Sequence, residues 1–179
     1  MHQFENGVAV VTGGASGLGK AFAEEAARRG MRVVIADVEA EAMDGVVGDL
    51  RARGAVAIGV QTDVTDAASV EALADRVTHD FGPVNLLFNN AGVASGGPIW
   101  ESTEKDWQWL FDVNVYGVAN GVRTFVPLML KAAASDFSYQ GCIVNTASML
   151  SFFGGGLTPG YSASKGGVAQ LTKSLAIAY

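Results

Sequence analysis

Tyr161 and Lys165 stand four residues apart in Tyr161-Ser162-Ala163-Ser164-Lys165, directly after Thr158-Pro159-Gly160. Thr at the cap and Pro in the first turn predict a helix start here, so the phenol and the ammonium share one helix face. Both the ammonium and the helix N-terminus favour a phenolate over a phenol. A tyrosine poised in this way can give a proton to a hydroxyl oxygen, or take one from it, while hydride moves at the attached carbon. The spacing alone is weak, because a helix with Tyr-x-x-x-Lys ordinarily carries one packed aromatic and one solvated amine. Its meaning depends on what else the chain places nearby.

A second group of residues could hold phosphates. Thr12-Gly13-Gly14-Ala15-Ser16-Gly17-Leu18-Gly19 follows a short apolar run and opens a helical pattern. Without Cβ atoms, Gly13, Gly17 and Gly19 permit a tight turn, backbone N–H groups close to a pyrophosphate, and near contact between helix and strand. The helix N-terminus adds partial positive charge, so no basic residue is required. The GxxxGxG spacing departs from the GxGxxG of many dinucleotide folds, and the loop lacks the Gly-Lys-Ser/Thr ending of a nucleotide-triphosphate loop. ATPase and kinase chemistry are therefore disfavoured. Asp37 closes the next apolar run, eighteen residues after Gly19. A carboxylate there accepts hydrogen bonds from ribose hydroxyls and repels a 2′-phosphate. With no Arg or Lys at positions 13–19 or 38–41, the expected cofactor is NAD rather than NADP.

The elements that must position these groups alternate along the chain. Val8 to Val11, Arg32 to Ala36, Ala55 to Val60, Asn85 to Phe88 and Cys142 to Val144 are short apolar runs that read as buried strands. Helical periodicity fills Leu18 to Arg29, Ala40 to Arg53, Ala67 to Phe81 and Thr103 to about Ala133, the last with a kink expected at Pro127. Strands that are apolar throughout imply a parallel sheet covered on both faces and joined by right-handed crossovers. The expected architecture is a doubly wound α/β Rossmann fold, three layers deep, forming one domain over residues 1–179. In such a sheet, ligands sit outside the strand C-terminal ends. The fourth and fifth strands run there into Asn89-Asn90-Ala91-Gly92 and Asn145-Thr146-Ala147-Ser148.

Thr12 to Gly19, Asn89 to Gly92, Ser148, and Tyr161 with Lys165 occur in the order that marks the classical short-chain dehydrogenases/reductases, and the chain resembles that family over essentially its whole length. The resemblance implies that Gly13, Ser16, Gly17, Leu18 and Gly19 contact the dinucleotide, that Asp63 and Val64 contact its adenine, and that Asn90 lines the ribose. Ala91 and Gly92 would allow close backbone approach. It further implies that Ser148 hydrogen-bonds the substrate oxygen, that Lys165 holds the nicotinamide ribose, and that Asn114 supports a water-linked proton relay. Each residue also has a plainer use: Asp63 as a helix cap, Asn114 as a buried amide satisfied by backbone, Ser148 as a strand end. An NAD-dependent alcohol/ketone oxidoreductase is the leading expectation. The alternative is a non-catalytic dinucleotide-binding or regulatory module on the same fold. Family members continue past the Tyr-Lys helix with further strands and a substrate-covering region, so the chain reads as C-terminally incomplete. That would leave the fifth strand at a sheet edge and expose Val168, Ala169, Leu171, Leu175 and Ile177. A homodimer or homotetramer is expected of the complete protein.

Composition narrows the rest. The chain has 179 residues, 49% of them hydrophobic, and a net charge of −6, which disfavours nucleic acid or an anionic membrane as partner and leaves a small-molecule alcohol or ketone. No apolar stretch reaches membrane-spanning length, and the first residues have neither the basic run nor the apolar core of a leader, so a cytoplasmic location is expected. The one cysteine, Cys142, reads as a buried core thiol. His2 reads as part of a disordered start and His79 as a polar helix end; no metal site is expected.

Overall fold

The computed structural model describes residues 4–179; His2 and the opening residues lie outside that range. The chain runs through β1 (Val8–Thr12), α1 (Gly17–Arg28), β2 (Arg32–Asp37), α2 (Ala40–Ala52), β3 (Ala57–Gln61), α3 (Ala67–Phe81) and β4 (Leu86–Asn89). It continues with α4 (Glu104–Phe111), a π-helical turn (Asp112–Tyr116), α5 (Gly117–Ser135), β5 (Cys142–Asn145), α6 (Leu150–Phe153) and α7 (Pro159–Ala178). All strand pairings are parallel, in the order β3-β2-β1-β4-β5. This is the expected doubly wound Rossmann-like sheet. Its strand order reverses between β1 and β4, where Val10 pairs with both Val34 and Leu87, and the crevice above that reversal is where such sheets take ligands.

Alternation within β1 explains the three layers. Ala9 and Val11 pack with Val33, Ile35, Val46 and Leu50 on the side of α1 and α2. Val8 and Val10 pack with Val34, Leu73, Val77 and Phe125 on the side of α3 and α5. Each of the four β1 side chains is fully buried, and complete burial of a valine contributes roughly 1.5–3 kcal/mol.

Four expectations change. The long helix drawn from Thr103 to Ala133 is two helices, α4 and α5, separated by a π-helical turn at Asp112–Tyr116. The break falls there, while Pro127 lies inside α5. Thr103 opens α4 through a reciprocal capping box with Asp106, whose carboxyl is held below its ordinary range by the Thr103 N–H and hydroxyl. Cys142 is exposed, not buried, because β5 pairs on one side with β4 and is the last strand of the sheet. The exposed stripe expected on α7 holds for Ile177, which is 89% exposed, but Val168 is fully buried against Val118, Val122 and Val126. Finally, the stretch after Ser148 contains the short helix α6, which periodicity cannot reveal in four residues.

Candidate active site

The turn between β1 and α1 is built on left-handed glycines. Gly13 has φ 63° and Gly17 φ 52°, a region that strains any residue with a Cβ. A Cβ on Gly13 would also meet the Ala91 Cα at 2.8 Å, so the loop lies directly on the strand end of β4. Ser16 occupies the cap position of α1 without a side-chain cap bond, which leaves first-turn amides for a ligand. Asp37 organises the loop from the end of β2: its Oδ2 accepts from Ala15 N at 2.9 Å and its Oδ1 from Glu39 N at 3.1 Å.

Thr12, which opens the glycine motif but receives no role of its own from the sequence, bolts this loop to β4. Its Oγ1 accepts from Asn90 N (3.0 Å) and Ala91 N (3.1 Å) and donates to Phe88 O (3.2 Å). Asn90 reciprocates by donating from Nδ2 to Thr12 O and Gly13 O at 3.1 and 3.2 Å, and its Oδ1 accepts from Thr146 Oγ1 at 3.2 Å. The ends of β1, β4 and β5 are thereby joined through side chains. A threonine closing a strand is the only sequence signal for this role.

Lys165 is 4% exposed and donates from Nζ to Thr146 O at 2.8 Å. Burial pushes its ammonium below the usual lysine range. One helical turn earlier, Tyr161 is half-buried. Ser164, between them and fully buried, donates to Tyr161 O at 2.8 Å and accepts from Asn114 Nδ2 at 2.9 Å. Asn114, on the π-helical turn and also fully buried, accepts from Val93 N at 2.8 Å and donates to Val93 O at 2.9 Å. The plainer reading of Asn114, an amide satisfied by backbone, describes its two bonds to the loop after β4 but not the one to Ser164 Oγ. Ser148 Oγ accepts from Leu150 N at 3.2 Å.

These groups surround one cavity of about 980 Å³ above the β1–β4 reversal. Gly13, Ser16, Gly17 and Leu18 line one wall, with Asp37, Asp63 and Val64 beside them; Asn90, Ala91 and Gly92 form the floor, and Ser148, Tyr161 and Lys165 the far end. Two expected residues stay outside the lining. Gly19 is buried beneath the loop and Asn114 beneath the Val93 backbone. Asp63 does not cap α3; it accepts from Thr65 N and Oγ1, both at 2.8 Å, while Asp66 supplies the cap. The cavity also includes Val93, Trp109 and Val113, apolar positions that carry no motif and so escaped sequence reading. His79 is exposed and bonded to Asp80, and no cluster of three metal-ligating side chains occurs among the described residues.

The family model described as short chain dehydrogenase matches residues 7–179. The chain belongs to the short-chain dehydrogenase family. Among its curated relatives, the cis-4-hydroxycyclohexanecarboxylate dehydrogenase of Sinomonas cyclohexanicum is 42% identical over 177 residues, covering 98% of this chain and 68% of the relative. The C alpha-dehydrogenase of Sphingobium sp. strain SYK-6 is 40% identical over 166 residues, 92% of this chain and 53% of the relative. This member of the family thus spans roughly half to two thirds of those relatives' length. A short-chain dehydrogenase/reductase from Burkholderia phymatum, solved in complex with NAD, superposes with a TM-score of 0.93 at 50% identity, covering 98% of this chain and 60% of that one. No helix among the described residues is long and apolar enough to cross a membrane.

Proposed function

We propose that the protein is an NAD-dependent oxidoreductase that interconverts a secondary alcohol and its ketone, with Tyr161 as the acid/base. The observation that carries this reading is one cavity joining a phosphate-type glycine cradle to Ser148, Tyr161 and Lys165. A dinucleotide suits the residues present: the left-handed turn at Gly13 and Gly17 borders the cavity, no side chain caps the first-turn amides of α1, and Asp37 stands at the far strand end, where it favours ribose hydroxyls over a 2′-phosphate. Asp63 and Val64 would flank the adenine and Asn90 the ribose. When bound, NAD supplies the hydride acceptor, so that alcohol and NAD yield ketone, NADH and one proton.

The chain's own side chains manage that proton and the substrate oxygen. Ser148 Oγ already accepts from Leu150 N, which leaves its O–H to donate to the substrate oxygen. Tyr161 takes the hydroxyl proton during oxidation and returns it during reduction. With one Lys165 N–H committed to Thr146 O, the other two can hold ribose hydroxyls and keep positive charge beside the phenol. Asn114 fixes the loop after β4 and, through Ser164, the first turn of α7, the geometry a proton relay through that region requires. Exposed Tyr116, Leu128 and Leu130 on the α4–α5 segment support assembly into a homo-oligomer.

The test is Tyr161→Phe, assayed by NADH formation across secondary alcohols, sugars and steroids. NAD binding should persist while turnover falls about 10²–10⁴-fold. Unchanged turnover would remove the mechanism, and NAD binding without turnover of any substrate by the parent protein would favour a non-catalytic dinucleotide-binding module.

A further inference from the structure

Helix α7 carries both Tyr161 and Lys165, so its height and rotation against the sheet set where both groups stand. One fixed point is Lys165 Nζ on Thr146 O. Ser164, bonded to Asn114, and Val168, packed on α5, hold the same first half of this twenty-residue helix. A second polar contact with the β5 end of the sheet lies seven residues after Lys165, about two turns along the same face. There Thr172 Oγ1 accepts from Asn145 Nδ2 at 3.0 Å and donates to Val168 O at 2.8 Å.

Asn145 is itself held. Its Oδ1 accepts from Asn89 Nδ2 at 2.9 Å, and Asn89, 3% exposed, is clamped from the other side by α5, where a Cβ on Gly121 would fall 2.1 Å from its Oδ1. That oxygen is buried and has no hydrogen-bond partner, an arrangement that costs free energy and persists only if the surroundings leave the amide nowhere else to turn. The run from Asn89 through Asn145 to Thr172 therefore has one direction: each amide donates toward α7, and the threonine hydroxyl, already donating to its own helix, can only accept. No titratable group takes part, and none of the three residues lines the cavity.

We propose that Thr172 and Asn145 are positioning residues that fix the rotation of α7 and so the placement of Tyr161 and Lys165. The proposal rests on the acid/base reading given above. Loss of the Thr172 hydroxyl would leave Asn145 Nδ2 unpaired and remove the second polar tie of α7 to the sheet, shifting the phenol relative to the sheet while the glycine loop on the far side of the cavity stays in place.

Thr172→Val keeps the branched shape and removes the hydroxyl; Thr172→Ser restores it. Both are compared with the parent protein in kcat, in affinity for ADP-ribose, which engages the glycine-loop end without the nicotinamide, and in melting temperature, with assays run well below melting. The expected result for Thr172→Val is a kcat lower by ~10-fold or more with ADP-ribose affinity within about twofold of the parent, and recovery of kcat in Thr172→Ser. Parental kcat in Thr172→Val, or a parallel fall in kcat and ADP-ribose affinity, overturns the positioning role. Tyr161→Phe is measured alongside: if it retains turnover, the acid/base reading itself has failed. If Tyr161→Phe is inactive while Thr172→Val is fully active, only the positioning inference has failed.

Discussion

Gly19 of α1 sits directly under Gly13 of the loop that leads into the helix: a Cβ on Gly19 would stand 2.0 Å from Gly13 O and 2.6 Å from Asn90 Nδ2. Both neighbours are fixed, one as backbone and the other by its bonds to Thr12 O and Gly13 O. Gly19→Ala must therefore push α1 off the loop and off the end of β4. Gly17 differs: its φ is 52° but a Cβ there meets nothing within 4 Å, so Gly17→Ala carries only backbone strain of about 1–2 kcal/mol. Titration with NAD should show affinity lost by more than about tenfold in Gly19→Ala, and a smaller loss in Gly17→Ala. Equal losses would mean that the close approach of α1 is unimportant.

Asp37 does two jobs at once, and a substitution separates them. In the proposed NAD reading its carboxylate rejects a 2′-phosphate, and its Oδ2 holds Ala15 N at 2.9 Å. Asp37→Ser should raise affinity for NADP relative to NAD. It should not yield an NADP site as tight as the parental NAD site, because the loop amide loses its partner at a cost of about 1–3 kcal/mol. The check is the pair of dissociation constants measured on both proteins. Undiminished NAD affinity in Asp37→Ser would exclude the second job.

The sheet and most of the cavity wall were legible in the sequence because both depend on local pattern. Val8 to Val11 is apolar without interruption, and only a strand covered on both faces tolerates that; Gly13 and Gly17 sit where the backbone turns left-handed and Gly19 where no Cβ fits. Three features were not legible. The π-helical turn at Asp112–Tyr116 leaves the apolar periodicity on either side intact, so α4 and α5 read as one helix. Burial of Cys142 was inferred from its apolar neighbours Ile143 and Val144, but strand order, which no local pattern encodes, leaves it at an edge. Thr12, Thr146 and Ser164 act through hydrogen bonds to residues remote in sequence, and a lone threonine or serine in a motif does not announce its partner.

Tyr139 predicts an alkaline weakness in the fold. Its hydroxyl donates to Val84 O, and burial pushes its pKa up to about 12 from 10.0. Above pH ~10 the unfolded chain releases this proton while the folded protein keeps it. The folded state then binds more protons, so stability is fully present below that pH and is lost as pH rises toward about 12. Thermal melts taken from about pH 9 to 12 should fall less steeply for Tyr139→Phe than for the parent protein, with a lower starting stability because the bond to Val84 O is gone. Parallel curves would place the alkaline sensitivity elsewhere.

Asn114 and Ser164 form the buried link between the loop after β4 and the first turn of α7, and their energies should not add. Asn114→Ala removes the bonds to Val93 N, Val93 O and Ser164 Oγ together and leaves buried backbone groups unpaired, for an expected loss of at least about 2 kcal/mol. Ser164→Ala removes the shared bond and the one to Tyr161 O, for roughly 1–2 kcal/mol. Because the two side chains share a partner, the double variant should be less destabilised than the sum by about 0.5 kcal/mol or more. Urea melts of the four proteins measure this directly. Strict additivity would show that the 2.9 Å contact between Asn114 and Ser164 carries no coupling, and the loop after β4 would then have to be held to α7 by packing alone.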